Sequence, residues 1–149
     1  MIRRVIADCS ADFADIEGVD YRLVPLTIST DERSFTDDEE LDVNEMLDYL
    51  SKYNGPSHTA CPGIEQWINS YEGADEVFVV TLSEGLSGTY NAAVTAGNLY
   101  VEEHPNAKVH VFDSLSAGPE VRMLADRIAE CVRDGKSYDE IIALGDDYI

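Results

Sequence analysis

Three hydroxyl residues follow the most apolar stretch of the chain. The run Val77–Leu82 carries no charge and is rich in β-branched residues, as is typical of a strand buried on both faces of a parallel sheet. Ser83, Ser87 and Thr89 come next, and a helix is predicted to begin near Tyr90. In open α/β sheets, ligands bind where strands end and helix N-termini present free N–H groups. The sequence therefore predicts that these hydroxyls lie at a ligand-binding edge.

Four predicted extended segments lead into small, polar, turn-forming residues. These stretches are Asp8-Cys9-Ser10, His58–Cys61, Ser83–Thr89, which includes Gly88, and Asp113–Ser116, which includes Ser114. We expect them to line one edge of the sheet, which we call the rim. The rim contains no Lys or Arg, so its hydroxyl and N–H groups suit a carboxylate better than a polyphosphate. Capping and turn formation explain any single Ser or Thr equally well. The coincidence at four segments is what favours a binding site.

Two catalytic alternatives remain open on the residues alone. Gly85–Thr89 resembles a nucleophile elbow around Ser87, but the pattern needs Gly at its last position and a His base within reach. His58 adjoins the rim, so it is a candidate base for a serine hydrolase or a phosphate acceptor in a phosphotransfer or sugar-phosphate module. His104, in a loop, and His110, in a strand, are expected to be structural. No Walker or dinucleotide-binding glycine pattern occurs.

Strand and helix patterns alternate along the chain. Strands are predicted at Ile2–Ala7, Tyr21–Ser29, Val77–Leu82 and Lys108–Phe112, and helices at Asp42–Leu50, Pro62–Ile68, Gly88–Val101 and Pro119–Val132. Pro25 favours an edge position for the second strand. The helix after Asp42 is expected to pack its apolar face inward, and residues 137–149 to start a further helix or a connector. This alternation predicts an α/β fold with a mainly parallel sheet and helices on both faces.

Charge and composition exclude several classes of binding partner and site. The formal net charge of −20 disfavours nucleic acid and anionic membranes. Nine acidic residues lie between Asp31 and Asp48, and a solvated face explains them better than a metal or partner patch. The three cysteines fit neither a zinc site nor a disulfide framework. With no apolar segment long enough to span a bilayer, we expect a soluble cytoplasmic protein.

Several of these motifs resemble those of the DegV family of bacterial fatty-acid-binding proteins, which includes the acyl-carrying subunits of fatty acid kinase. The matching segments, in family order, are Asp8–Asp12 (family form D-S-T-A-D), Val24–Leu26, Thr59–Pro62 (family form T-S-Q-P), Leu86–Tyr90 and Asp113-Ser114. The Leu-Ser-Gly-Thr-Tyr block after a strand is specific. The chain departs from the family forms at Cys9, Ala60 and Cys61, and none of these changes removes a hydroxyl carried over below.

The resemblance implies a non-enzymatic lipid-transport protein that buries one long-chain fatty acid, such as palmitate, between two domains. It implies that Thr59 and Ser87 hold the carboxylate, with Ser10, Ser83, Gly88, Thr89 and Ser114 as a secondary rim. It also implies a fatty acid kinase as partner, and no cofactor or metal beyond the bound fatty acid. The family's second domain has no counterpart here, so we expect residues 1–149 to be the amino-terminal domain.

Overall fold

The computed structural model describes residues 1–149 and centres on a four-stranded parallel sheet. Its order is β2 (Asp20–Val24), β1 (Arg3–Asp8), β6 (Glu76–Thr81) and β7 (Lys108–Asp113). Every residue of β6 is buried, because this strand lies inside the sheet and both its faces are covered. The predicted α/β class with a mainly parallel sheet is therefore confirmed.

Helices cover both faces of this sheet. One face packs against α2 (Ile64–Tyr71) and α3 (Thr89–Glu103), and the other against α4 (Pro119–Arg133) and α5 (Tyr138–Tyr148). Successive side chains along β6 point to opposite faces of the sheet and so contribute to both cores. Val77 and Val79 enter the core under α2 and α3, and Phe78 enters the core under α4 and α5. No helix is long and apolar enough to cross a membrane.

A second, three-stranded antiparallel sheet was not predicted. It contains β4 (Ser34–Thr36), β3 (Thr27–Ser29) and β5 (His58–Ala60), in that order. The run Tyr21–Ser29 is two strands rather than one, since it divides at Pro25 between β2 and β3. The edge position expected for its first part is confirmed, because β2 is an outer strand of the parallel sheet.

The helix predicted after Asp42 is present as α1 (Val43–Lys52), with the Asp42 side chain accepting a hydrogen bond from the Glu45 N–H at 2.9 Å. Its expected inward packing is largely wrong. Met46 is buried, but Val43 and Leu47 are 50 and 56 % exposed. The amphipathic pattern predicts the helix correctly, but the described residues provide no surface that covers its whole apolar face.

The remaining helix boundaries agree with the sequence to within a few residues. Pro119 occupies the first turn of α4, as predicted. Pro62 precedes α2 by two residues, and the N-cap is Gly63. Residues 138–148 form a full helix, α5, because Ser137 and Glu140 build a capping box at its start. That box is the signal that distinguishes a helix from a connector.

Candidate functional site

The turn after β6 holds itself together with its first serine. The N–H groups of Leu86 and Ser87 donate to the Ser83 carbonyl at 3.0 and 3.2 Å. The Gly85 N–H donates to the Ser83 hydroxyl at 3.2 Å. Ser83 therefore acts as a turn former, and its side chain fixes the approach to α3.

Ser87 and Thr89 form a hydroxyl pair at the start of α3. Their oxygens are 2.8 Å apart, and the Ser87 hydroxyl also accepts a hydrogen bond from the Thr89 N–H at 3.3 Å. Thr89 is fully buried, whereas Ser87 is half-buried. The N-cap residue is Gly88, which has no side chain to bond the next N–H groups. The helix start thus offers one accessible hydroxyl and uncapped N–H groups, an arrangement that attracts anions.

The end of β1 is locked to the end of β6 by a buried carboxylate. Asp8 accepts hydrogen bonds from the N–H groups of Ser10 at 2.9 Å and Leu82 at 2.7 Å. Burial raises the pKa of the Asp8 carboxyl, and these hydrogen bonds oppose that rise. The Ser10 hydroxyl oxygen is buried beside this carboxylate without a well-formed hydrogen bond of its own. Ser10 is therefore the rim hydroxyl with the most unused hydrogen-bonding capacity.

The end of β7 joins the same edge. The Asp113 carboxylate accepts from the Glu84 N–H at 3.2 Å and from the Leu115 N–H at 3.0 Å. The Ser114 hydroxyl donates to the Ser116 carbonyl and accepts from the Ser116 N–H, both at 3.3 Å. Ser114 is thus used by its own turn, which leaves it little capacity to bind a ligand.

Thr59 lies in a different sheet from the one predicted. It does not follow a strand of the parallel sheet, since it lies inside β5 of the antiparallel sheet. The Cys61 sulfur lies 3.5 Å from the position that a Cβ on Gly88 would take, so the chain after β5 touches the start of α3. Thr59 lies two residues before Cys61 in the chain. The carboxylate-binding role of Thr59 and Ser87 stays a prediction.

The histidines do not complete a catalytic arrangement around Ser87. The His104 ring stacks on Tyr100 at 4.3 Å between centroids, and its Nδ1 lies 3.1 Å from the Tyr100 carbonyl oxygen. His110 is half-buried against Phe112, and burial lowers its pKa. His58 is exposed on β5. Ser87 directs its side-chain hydrogen bonds to Thr89 alone, so no imidazole is positioned to activate it.

Two leucines that sequence reasoning passed over stand exposed beside the hydroxyls. Leu86, in the turn after β6, is 69 % exposed, and Leu115, after β7, is 66 % exposed. A large apolar residue within a run of turn formers was the available signal, but no periodic pattern marks it. The rim therefore combines hydroxyls, uncapped N–H groups and apolar side chains, which is the chemistry that an amphipathic carboxylate requires.

The profile of the family described as "Uncharacterised protein, DegV family" matches residues 3–148. The chain belongs to the DegV family. It is 37% identical over 146 residues to a DegV domain-containing protein of Streptococcus gordonii, covering 95% of this chain and 52% of that protein. The chain thus spans about half the length of the curated relatives it matches.

Solved structures of DegV proteins share this fold closely. One is a DegV family protein from Eubacterium eligens loaded with heptadecanoic acid, with 46% sequence identity and a TM-score of 0.96. Another is the Streptococcus pneumoniae Fatty Acid Kinase (Fak) B3 protein loaded with linoleic acid, with 35% identity and a TM-score of 0.96. They cover 98% and 99% of this chain, which in turn covers 53% and 54% of theirs.

Proposed function

We propose that this chain is the amino-terminal part of a non-catalytic carrier that binds one long-chain fatty acid, such as palmitate, by its carboxylate. The observation that carries the proposal is the Ser87–Thr89 hydroxyl pair at the uncapped start of α3, on a rim without Lys or Arg. The DegV proteins from Eubacterium eligens and Streptococcus pneumoniae hold heptadecanoic acid and linoleic acid in their crystals, which supports the same ligand class here.

The acyl tail and the carboxylate of the ligand contribute differently to binding. Burial of an acyl chain contributes about 0.8 kcal/mol per CH₂ group, so the tail supplies most of the affinity. A hydrogen bond to a charged acceptor contributes roughly 1.5–3 kcal/mol. Ser87 and Thr59 would therefore fix the position of the head group, while exposed Leu86 and Leu115 offer apolar contact next to it.

A carrier of this kind presents its carboxylate to a second protein. The relation to the Fatty Acid Kinase B3 protein supports a fatty acid kinase as that partner. The bound fatty acid would be cargo rather than cofactor, and the chemistry on the carboxylate would belong to the kinase. Ser87 is held by Thr89 and not by a histidine, which favours this role over a serine hydrolase.

Titration of the delipidated protein with palmitate tests the proposal, with saturation expected at one equivalent. Ser87→Ala and Thr59→Ala should each weaken binding about ten- to a hundredfold, since each removes a hydrogen bond to a charged group. Ser34→Ala and Thr36→Ala are matched controls, because both residues are exposed on β4 and make no side-chain hydrogen bond.

Two results would contradict this assignment. Wild-type affinity in both site variants would show that other groups hold the carboxylate. A stoichiometric mass increase after treatment with a serine-directed phosphonate, lost in Ser87→Ala, would instead indicate a serine hydrolase. Mass spectrometry of an organic extract of the purified protein would identify the fatty acid directly.

A further inference from the structure

Residues 26–61, which we call the β3–β5 unit, form nearly all of their hydrogen bonds and ion pairs with one another. The unit contains β3, β4, α1 and β5. Its ion pairs are internal: Arg33 with Glu45 and Lys52 with Asp48, both at 2.7 Å. Every side-chain hydrogen bond from residues 27–60 also has its partner inside the unit.

The unit also has a small core of its own. Phe35 and Met46 are its two buried large side chains. The Arg33 guanidinium lies over the rings of Phe35 and Tyr49, at 4.9 and 5.0 Å from their centroids. No residue of the unit belongs to either of the two cores that cover the parallel sheet. The unit therefore has its own internal cohesion and shares little apolar packing with the rest of the chain.

One hydrogen bond joins the unit to the remainder of the protein. The Leu26 N–H donates to the Cys9 sulfur at 3.2 Å. Burial, and then the neighbouring Asp37 carboxylate, raise the pKa of the Cys9 thiol to about 12, so the sulfur stays protonated at neutral pH. The two covalent connections pass through Pro25 and Pro62, neither of which has an N–H to donate.

A cleft separates the unit from the sheet on one side. Its volume is about 430 Å³, and it lies between the Asp37–Glu40 segment of the unit and Tyr21, Leu23 and Pro25 beside it. The Cys9 contact lies near this cleft, since Asp37 adjoins the thiol. The unit thus stands away from β2 except where Cys9 holds it.

We propose that the β3–β5 unit is a hinged gate that turns as one body about its two connections to the rest of the chain, beside Pro25 and Pro62, and carries Thr59 toward and away from Ser87. The role as a gate rests on the fatty-acid function proposed above, whereas the motion itself does not. Cys9 is the latch, because its sulfur accepts the one hydrogen bond that crosses. Opening separates the two hydroxyls and admits the ligand; closure brings them to the same carboxylate.

Amide hydrogen exchange of the ligand-free protein tests the motion. The amides of β3 and β5 should exchange together and faster than those of β1 and β6. Cys9→Ala should speed exchange in the unit about five- to tenfold and leave β6 unchanged relative to β1, since only the latch is lost. Cys131→Ala is the matched control, because Cys131 is a buried thiol of α4 in a core that contains no residue of the unit. Equal exchange rates for the unit and the parallel sheet would overturn the proposal.

A clamp tests the gating role. In Gly88→Cys the new Cβ would lie 3.5 Å from the Cys61 sulfur, close enough for a disulfide after a small adjustment. The oxidised variant should slow exchange in the unit and slow palmitate release at least tenfold, and reductant should reverse both effects. The double variant Cys61→Ser/Gly88→Cys should not respond to oxidant. Unchanged palmitate release in the clamped protein would overturn the gate. Failure of every form to bind palmitate would overturn the proposed function, while the ligand-free exchange would still decide the motion.

Discussion

The β3–β5 unit differs from the rest of the chain, which we call the body (residues 1–25 and 62–149), in how it is stabilised. The body has continuous apolar cores on both faces of its sheet, and β6 runs buried through its centre. The unit buries two large side chains and leaves much of α1 uncovered. The candidate site takes Ser87 from the body and Thr59 from the unit, so its two hydroxyls rest on supports of unequal rigidity.

The charges differ in the same way. In the body, Arg4 is 4 % exposed, and its guanidinium donates to Asp20 and to the carbonyls of Ser70 and Glu72. In the unit, the pair between Arg33 and Glu45 is largely exposed to water. Buried, fully bonded charges oppose local opening, whereas exposed pairs contribute little. The body is therefore expected to open only by global unfolding, and the unit by local motion.

The largest test compares the same substitution in the two regions. Phe78→Ala removes a fully buried ring from β6, and we expect it to lower the free energy of unfolding by about 3–5 kcal/mol. Phe35→Ala removes the corresponding ring from the unit and should leave the main denaturation transition within about 1 kcal/mol of wild type. Urea denaturation followed by Trp67 fluorescence measures both, because Trp67 is buried in the body.

Exchange data complete this comparison. Phe35→Ala should speed amide exchange in β3–β5 while β6 keeps its protection. A loss of more than about 3 kcal/mol of global stability in Phe35→Ala would show that the unit and the body unfold together. The distinction between the two regions would then be wrong.

The sequence predicted the body well because its signals are local. Val77–Leu82 is apolar and bounded by turn residues, so burial on both faces could be inferred without tertiary information. β3 and β5 have three residues each, and every side chain of β5 is exposed. Such strands are defined by their pairing partners and not by their own composition. The antiparallel sheet was missed for this reason.

The candidate site divides in the same manner. Ser87 and Thr89 were predicted from the strand, turn and helix signals around them. Thr59 was also expected at the rim from the residues around it, and the structure places it instead in a second sheet that depends on tertiary pairing. The carboxylate-binding roles of Thr59 and Ser87 came from the family resemblance. The hydrogen bond from the Leu26 N–H to the Cys9 sulfur joins residues 17 positions apart, and no sequence pattern predicts it.

Alkaline pH should weaken the body through groups that burial keeps protonated. Burial raises the pKa of Cys9 and Tyr138 to about 12, and it also raises the pKa values of Tyr21 and Tyr71. A raised folded-state pKa contributes stability that is complete below the unfolded pKa, which is 9.0 for a thiol, and that is lost as pH approaches 12. Chemical denaturation between pH 8 and pH 11 should therefore show falling stability.

Variants assign the contribution of Cys9 to this decline. Ionisation of the unfolded thiol lowers the stability of the folded state by about 1.4 kcal/mol by pH 10, so Cys9→Ala should reduce the decline by that amount. Cys61→Ser removes an exposed thiol and should keep the wild-type slope. Identical slopes in all three proteins would mean that Cys9 ionises as readily in the folded state as in the unfolded one.

Substitution of one glycine in each region by alanine tests how tightly the two regions are packed. A Cβ on Gly97 of α3 would lie 2.9 Å from Cγ1 of Val109, a half-buried residue of β7. Gly97→Ala should therefore cost about 1 kcal/mol, the strain of overpacking less the gain in helix propensity. A Cβ on Gly55 would meet the far end of the Tyr53 side chain, which can turn aside. Gly55→Ala should thus change thermal stability by less than about 0.5 kcal/mol. Equal losses would indicate that the unit is packed as tightly as the body.

The smallest expected effect concerns the exposed ion pair within α1. Lys52 and Asp48 are one helical turn apart, with 72% and 66% of their side chains exposed. Lys52→Ala should speed amide exchange in α1 by about twofold, because such pairs contribute roughly 0.3–0.5 kcal/mol and the lysine also favours the helix C-terminus. The difference should shrink in 0.5 M salt, where about 4 Å of Debye screening weakens exposed charges. Asp48→Asn tests the same pair from the other side. A tenfold change in either variant, unaffected by salt, would mean that the pair is shielded from water, contrary to its exposure in the structure.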